Sequence, residues 1–164
     1  MDTTQSSVSN DDDISALCRR IVEASSDAVI FADRDGVIRL WNRGAELVFG
    51  YAAGEAIGRS LDMIIPERLR PAHWDAFHHS IETGRTKHVD RVLTTRSMHK
   101  DGERRYVDLS FGLVKDVNGA VLGAFAVGRD ATKRYLDDTA IKTRIAELES
   151  TLAELRAKIQ PSKA

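Results

Sequence analysis

The chain has 164 residues, with 24 basic and 25 acidic side chains and a formal net charge of -1. That length suits one domain plus an extension, and the balanced charge gives no field that would draw the protein to nucleic acid or an anionic membrane. One cysteine, Cys18, excludes an internal disulfide and a cysteine-based zinc site. No apolar run reaches the ~18 residues of a membrane span, and the polar start lacks a signal peptide, so a cytoplasmic protein is expected.

Residues 1–11 are rich in Ser, Thr, Asn and Asp and read as a disordered lead-in. Asp11, Asp12 and Asp13 supply caps and favourable charge for a helix running to Ala24, with Ile14, Leu17, Ile21 and Val22 at helical spacing. Ala28–Ala32 and Val37–Trp41 read as two strands joined by an Asp33–Gly36 turn, where Gly36 is free to take positive φ. Asn42 suits the cap of a short helix that Gly50 ends. Glycine-split segments around Ile57 and Leu61–Ile65 follow, then a longer helix over Leu69–Thr83 closed by Gly84. Three strand-like runs come next, at His88–Met98, Arg104–Val114 and Val121–Arg129, with turn signals at Lys100-Asp101-Gly102 and Asp116–Gly119. The middle run alternates, placing Val107, Leu109, Phe111 and Leu113 on one side. The pattern predicts an α+β fold with an antiparallel sheet over residues 12–132 and a separate helix over 133–160.

That last helix carries Ile141, Ile145, Leu148, Leu152, Leu155 and Ile159. Their spacing alternates between four and three, a continuous heptad seam with Ile145, Leu152 and Ile159 at a. Ile at most a positions with Leu at most d positions favours a parallel two-stranded coil, hence a homodimer. The competing arrangement, a helix folded back on its own domain, needs a wider apolar stripe.

Several motifs together carry a family resemblance. Ser26–Ile30, Asp35–Ile38, Trp41-Asn42, Phe49-Gly50-Tyr51, Ile57-Gly58, Lys100–Gly102 and Gly128–Thr132 resemble a PAS domain. The resemblance implies a five-stranded antiparallel sheet with small helices over one face, a ligand pocket between them, and a sensory or protein-interaction role. It implies a separate effector as partner, such as a kinase or regulator.

The segment Ile65–His73 is similar to heme-binding PAS domains of bacterial oxygen sensors, in which the histidine matching His73 is the proximal iron ligand. By helical geometry His73 shares a face with Leu69, Trp74, Phe77 and Ile81, while His78 and His79 fall outside it. The same resemblance puts Arg91 where one such sensor has a methionine ligand, and Leu93 where they place an oxygen-binding arginine. Leu109, Phe111 and Val127 are expected on the sheet side of the pocket. Heme b is therefore the named cofactor, with His73 as metal ligand; an empty or differently filled pocket in an interaction and dimerisation module is the alternative. Flavin adduct chemistry would need a cysteine at the pocket, and Cys18 lies in the first helix. No phosphate loop, HExxH pair or nucleophile elbow is present, so an enzyme is not expected.

Overall fold

The computed structural model describes residues 6–87 and 91–159, with side chains from residue 12 onward. It divides into two units, 1–130 and 131–164.

The first unit is built on a five-stranded antiparallel sheet. The elements are α1 (Ser6–Ala24), β1 (Ala28–Asp33), β2 (Ile38–Trp41), α2 (Arg43–Phe49), α3 (Ala53–Ala56), α4 (Arg70–Thr83), β3 (Leu93–Met98), β4 (Arg104–Lys115) and β5 (Val121–Asp130). Two 3₁₀ turns, Leu61–Met63 and Glu67–Leu69, lead into α4. The strands lie in the order β2-β1-β5-β4-β3. The first and last strands of the chain are therefore neighbours at the centre, and β4 with β5 forms the longest ladder.

Period-two alternation fixes which side of each strand is buried. Ala28, Ile30 and Ala32 of β1 are buried, as are Val107 and Leu109 of β4. Ala28, Ile30, Val107 and Leu109 meet Ile38, Trp41, Ala45, Val48 and Phe49 in the main core. Phe49 is fully buried, and burial of such a side chain contributes roughly 1.5–3 kcal/mol. A second, smaller cluster joins Phe77, Ile81 and Val121 with Trp74 and Leu113 packed against it.

Asn42 does more than cap α2. Its Oδ1 accepts from the N–H of Ala45 at 2.9 Å and of Val29 at 2.8 Å. Its Nδ2 donates to the carbonyls of Val22 at 2.8 Å and Asp27 at 3.0 Å. One fully buried amide thus ties the end of α1, the start of β1 and the first turn of α2. Gly36 takes φ +75° in the β1–β2 turn, as the turn chemistry requires.

Two boundaries differ from the sequence expectation. The helix α1 starts at Ser6 rather than near Asp12, so the aspartates lie within the helix; nothing in the residue pattern explains the extra turns. Residues 1–5 lie outside the described residues. The third strand begins at Leu93, not His88, because ladder pairing with β4 ends at Leu93↔Leu109; 88–90 are outside the described residues.

The second unit is the single helix α5, Thr132–Ile159. At 1.5 Å per residue its 28 residues span about 42 Å. The six seam residues are all exposed, at 48–76%. Among the described residues no helix is long and apolar enough to cross a membrane.

Candidate ligand-binding site

The helix α4 begins with Pro71 in its first turn and ends at Gly84 in the left-handed region, the arrangement expected of a sharply bounded helix. Leu69, His73 and Phe77 recur every four residues and so stack on one side. That side forms one wall of a cavity of about 350 Å³. Ile30, Ala32, Leu109, Phe111 and Ala126 form the facing wall on the sheet. Phe49 and Ile64 close a third side, and Thr95 and Ser97 of β3 add hydroxyls.

The sheet leaves this space because its central strands present small residues there. Ala32 pairs with Ala124, and Ile30 with Ala126. A smaller cavity of about 220 Å³ adjoins the first, and His73, Phe77, Thr95 and Phe111 border both.

His73 is the chemically distinctive group. Its Nε2 is buried and has no hydrogen-bond partner among the described residues. Leaving a polar atom so placed costs about 1–3 kcal/mol, which a ligand at that nitrogen would remove. Burial pushes the His73 pKa below its ordinary value; the Asp62 carboxylate opposes this and His78 adds to it. The imidazole is thus held neutral, the form that coordinates a metal. Its ring meets Trp74 edge-on at 5.1 Å and stacks on Phe77 at 6.1 Å.

The structure brings some of the expected residues together and separates others. Leu69, His73, Phe77, Leu109 and Phe111 line the main cavity. Leu93 borders only the smaller one. Trp74 and Ile81 belong instead to the second apolar cluster, since 100° per residue turns them from Leu69 toward Leu113 and Val121. Arg91 is exposed and precedes β3, so strand alternation does not turn it inward. Val127 pairs with Ser110 and Val29; its neighbours Ala126 and Gly128 share the face of Ile30 and Leu109, so Val127 lies on the opposite side of the sheet.

Ile30, Ala32, Ala126, Thr95 and Ser97 also line the cavity, beyond the residues the sequence points to. Alternation in β1 and β5 carried the signal for the first three, but only the pairing of the two strands joins them. No cluster of three or more potential metal-ligating side chains occurs among the described residues, so any metal here would need most of its ligands from a cofactor.

Comparison with known proteins bears on this geometry. A family model for the PAS fold matches residues 22–136. The chain belongs to the PAS-fold family. Sensor protein FixL of Bradyrhizobium diazoefficiens is 29% identical to this PAS domain over 140 residues, 84% of the chain and 26% of FixL. Oxygen sensor protein DosP of Escherichia coli is 32% identical over 105 residues, 64% of the chain and 13% of DosP. The chain therefore spans about a quarter or less of these relatives. Among solved structures, a PAS domain from Colwellia psychrerythraea superposes with TM-score 0.64 at 24% identity, covering 73% of this chain and 98% of that one.

Proposed function

We propose that this PAS domain binds heme b through His73 and signals as a coiled-coil homodimer to a separate effector such as a kinase or regulator. The observation that carries the first half is the buried, unpartnered Nε2 of His73, a residue that lines a largely apolar cavity. A neutral imidazole on an apolar wall is what heme iron takes as an axial ligand. The similarity to an oxygen sensor protein and to FixL supports the same reading.

Heme held there would supply iron able to bind a diatomic gas. The residues of the chain do the rest. His73 would hold the iron, Leu69 and Phe77 would pack beside the group, and the apolar walls would exclude water. Neither Arg91 nor Leu93 lines the main cavity; its polar lining on the sheet side is Thr95, Arg96 and Ser97 of β3, with the Thr95 hydroxyl donating to the Val107 carbonyl at 3.3 Å. The wall residues Leu109 and Phe111 pair with Gly128 and Ala126 of β5. That strand ends at Asp130, and α5 starts at Thr132. A displacement of the wall thus has a short covalent route to the helix and its exposed seam.

The test is an absorption spectrum of protein made with ample heme, for wild type and His73→Ala. A strong Soret band lost in the variant is the expected result. A colourless wild type that takes up no added hemin leaves the heme-free interaction module as the better reading.

A further inference from the structure

Beside the cavity, three contacts converge on one indole. The Nε1 of Trp74 donates to Asp62 Oδ1 at 2.8 Å. A Cβ at Gly36 would stand 2.2 Å from Trp74 Cη2, so the ring is backed closely by the β1–β2 turn. His78 stacks on it at 5.7 Å and 24°. The carboxylate is itself fixed. Arg70 lies 3.6 Å from Asp62 Oδ1 and donates to the Asp62 carbonyl at 3.1 Å. Arg70 also donates to the Ile65 carbonyl at 3.3 Å, clipping the turn that holds Asp62 to the start of α4. The indole, so held, meets the His73 ring in a T-shaped contact, the two planes at 81°. Its other neighbour, Phe77, lies parallel to His73 at 25°.

This arrangement has a purpose that packing alone does not require. An imidazole on a helix can rotate about χ2 between two broad positions. In the observed position Nε2 is buried without a hydrogen-bond partner among the described residues. The contacts of the ring with Trp74 and Phe77 limit that rotation. We propose that Asp62 and Trp74 are positioning residues for His73, the carboxylate fixing the indole and the indole fixing the imidazole with Nε2 toward the cavity. The proposal rests on the reading of His73 as the ligand-binding residue. Neither residue touches the bound group; both act through the ring they hold. Outer-shell partners of this kind commonly change metal affinity by 10–100-fold.

The experiment uses the full chain, first without heme. Ring contacts between Trp74 and His73 are followed by NMR in wild type, Asp62→Ala, Asp62→Asn and Trp74→Phe. Asparagine keeps an acceptor for the indole N–H; alanine does not, and phenylalanine has no N–H to offer. The Trp74–His73 contacts should be lost in Asp62→Ala and kept in Asp62→Asn. Hemin titration should then give a Kd raised by about tenfold in Asp62→Ala and Trp74→Phe, with most affinity retained in Asp62→Asn. Were Asp62→Ala to unfold, Trp74→Phe carries the same comparison through hemin affinity and the His73–Phe77 contacts. Unchanged His73 ring contacts in Asp62→Ala, or in Trp74→Phe where alanine unfolds, would overturn the proposal. A wild type that binds no hemin removes the heme reading, while the NMR comparison still decides whether the pair positions His73.

Discussion

The sheet domain and the terminal helix use the same residue types to opposite ends. In the sheet domain Ile38, Phe49 and Val107 are sealed from water. In α5 Ile141, Ile145, Leu148, Leu152 and Leu155 each leave about half their surface exposed. The difference is periodicity. A period of two matches a neighbouring strand and a covering helix, both supplied by the same chain. A strict 3.5-residue seam matches only another helix with the same seam. The first pattern closes inside the molecule, and the second is left exposed along α5.

The strongest way to break this contrast is to make the open region unable to close. Replacing Leu148 and Leu152 together by Asp puts four carboxylates into the seam of a paired coil. Sedimentation should show wild-type dimers becoming monomers, while the far-ultraviolet signal of the sheet is retained. A variant that stays dimeric would place the pairing outside the seam. Parallel pairing is sharpened by Leu148→Cys in a Cys18→Ala background: a d position should crosslink to its mate under mild oxidant.

Filling the cavity tests whether the closed region is deliberately incomplete. Ala126 lies on the sheet wall, opposite α4. Ala126→Leu adds three carbons where the central strands are narrow. Overpacking costs typically about 1–3 kcal/mol, less when space is available to receive the side chain. Hemin uptake should be lost with His73 intact and the fold cooperative. Full uptake in this variant would mean that hemin sits elsewhere.

A smaller effect is expected at the junction of elements. Asn42→Ala removes an amide with partners on α1, β1 and α2. It strips a helix cap and leaves buried backbone groups unpaired, a loss of about 3 kcal/mol in urea unfolding. Asn42→Asp keeps the acceptor but loses both donors, so it should recover only part of that loss. Equal stability of wild type and Asn42→Ala would show that water replaces the amide.

How much of this was legible beforehand depended on whether a signal was local. The turns at Gly36 and Gly50, the span of β4 and β5, and the 69–73–77 ridge of α4 all follow from spacing within a few residues. Val127 was misplaced by one residue because its face is set by pairing with Val29 and Ser110, which are distant in sequence. Arg91 sits in a strand-like run of sequence, but the β3 ladder begins only two residues after it. The room in the cavity comes from alanines on two strands that look unremarkable singly. The Asp62–Trp74 bond joins a 3₁₀ turn to a helix, and neither residue announces the other.

The finest probe of the contrast is protonation, because it acts on one half-buried ring and not on the exposed seam. In the heme-free protein the His73 pKa is lowered, first by burial and then by His78, with Asp62 opposing. The unfolded chain has the ordinary histidine value, so between the two values it binds more protons than the folded chain. Stability must then fall as pH decreases from the ordinary value, near 6.5, toward the lowered one. Above that window the group contributes no pH dependence. The carboxylates of Asp33 and Asp101 are also lowered from their ordinary value of 3.8, but their effect falls at more acid pH. Melting of the heme-free protein should therefore drop between about pH 7 and about pH 5. His73→Phe should flatten that slope and Asp62→Asn, which removes the opposing field, should steepen it. A His73→Phe variant with the wild-type slope would mean that the ring is hydrated in solution, and that the cavity wall is open at the one place where the site needs it dry.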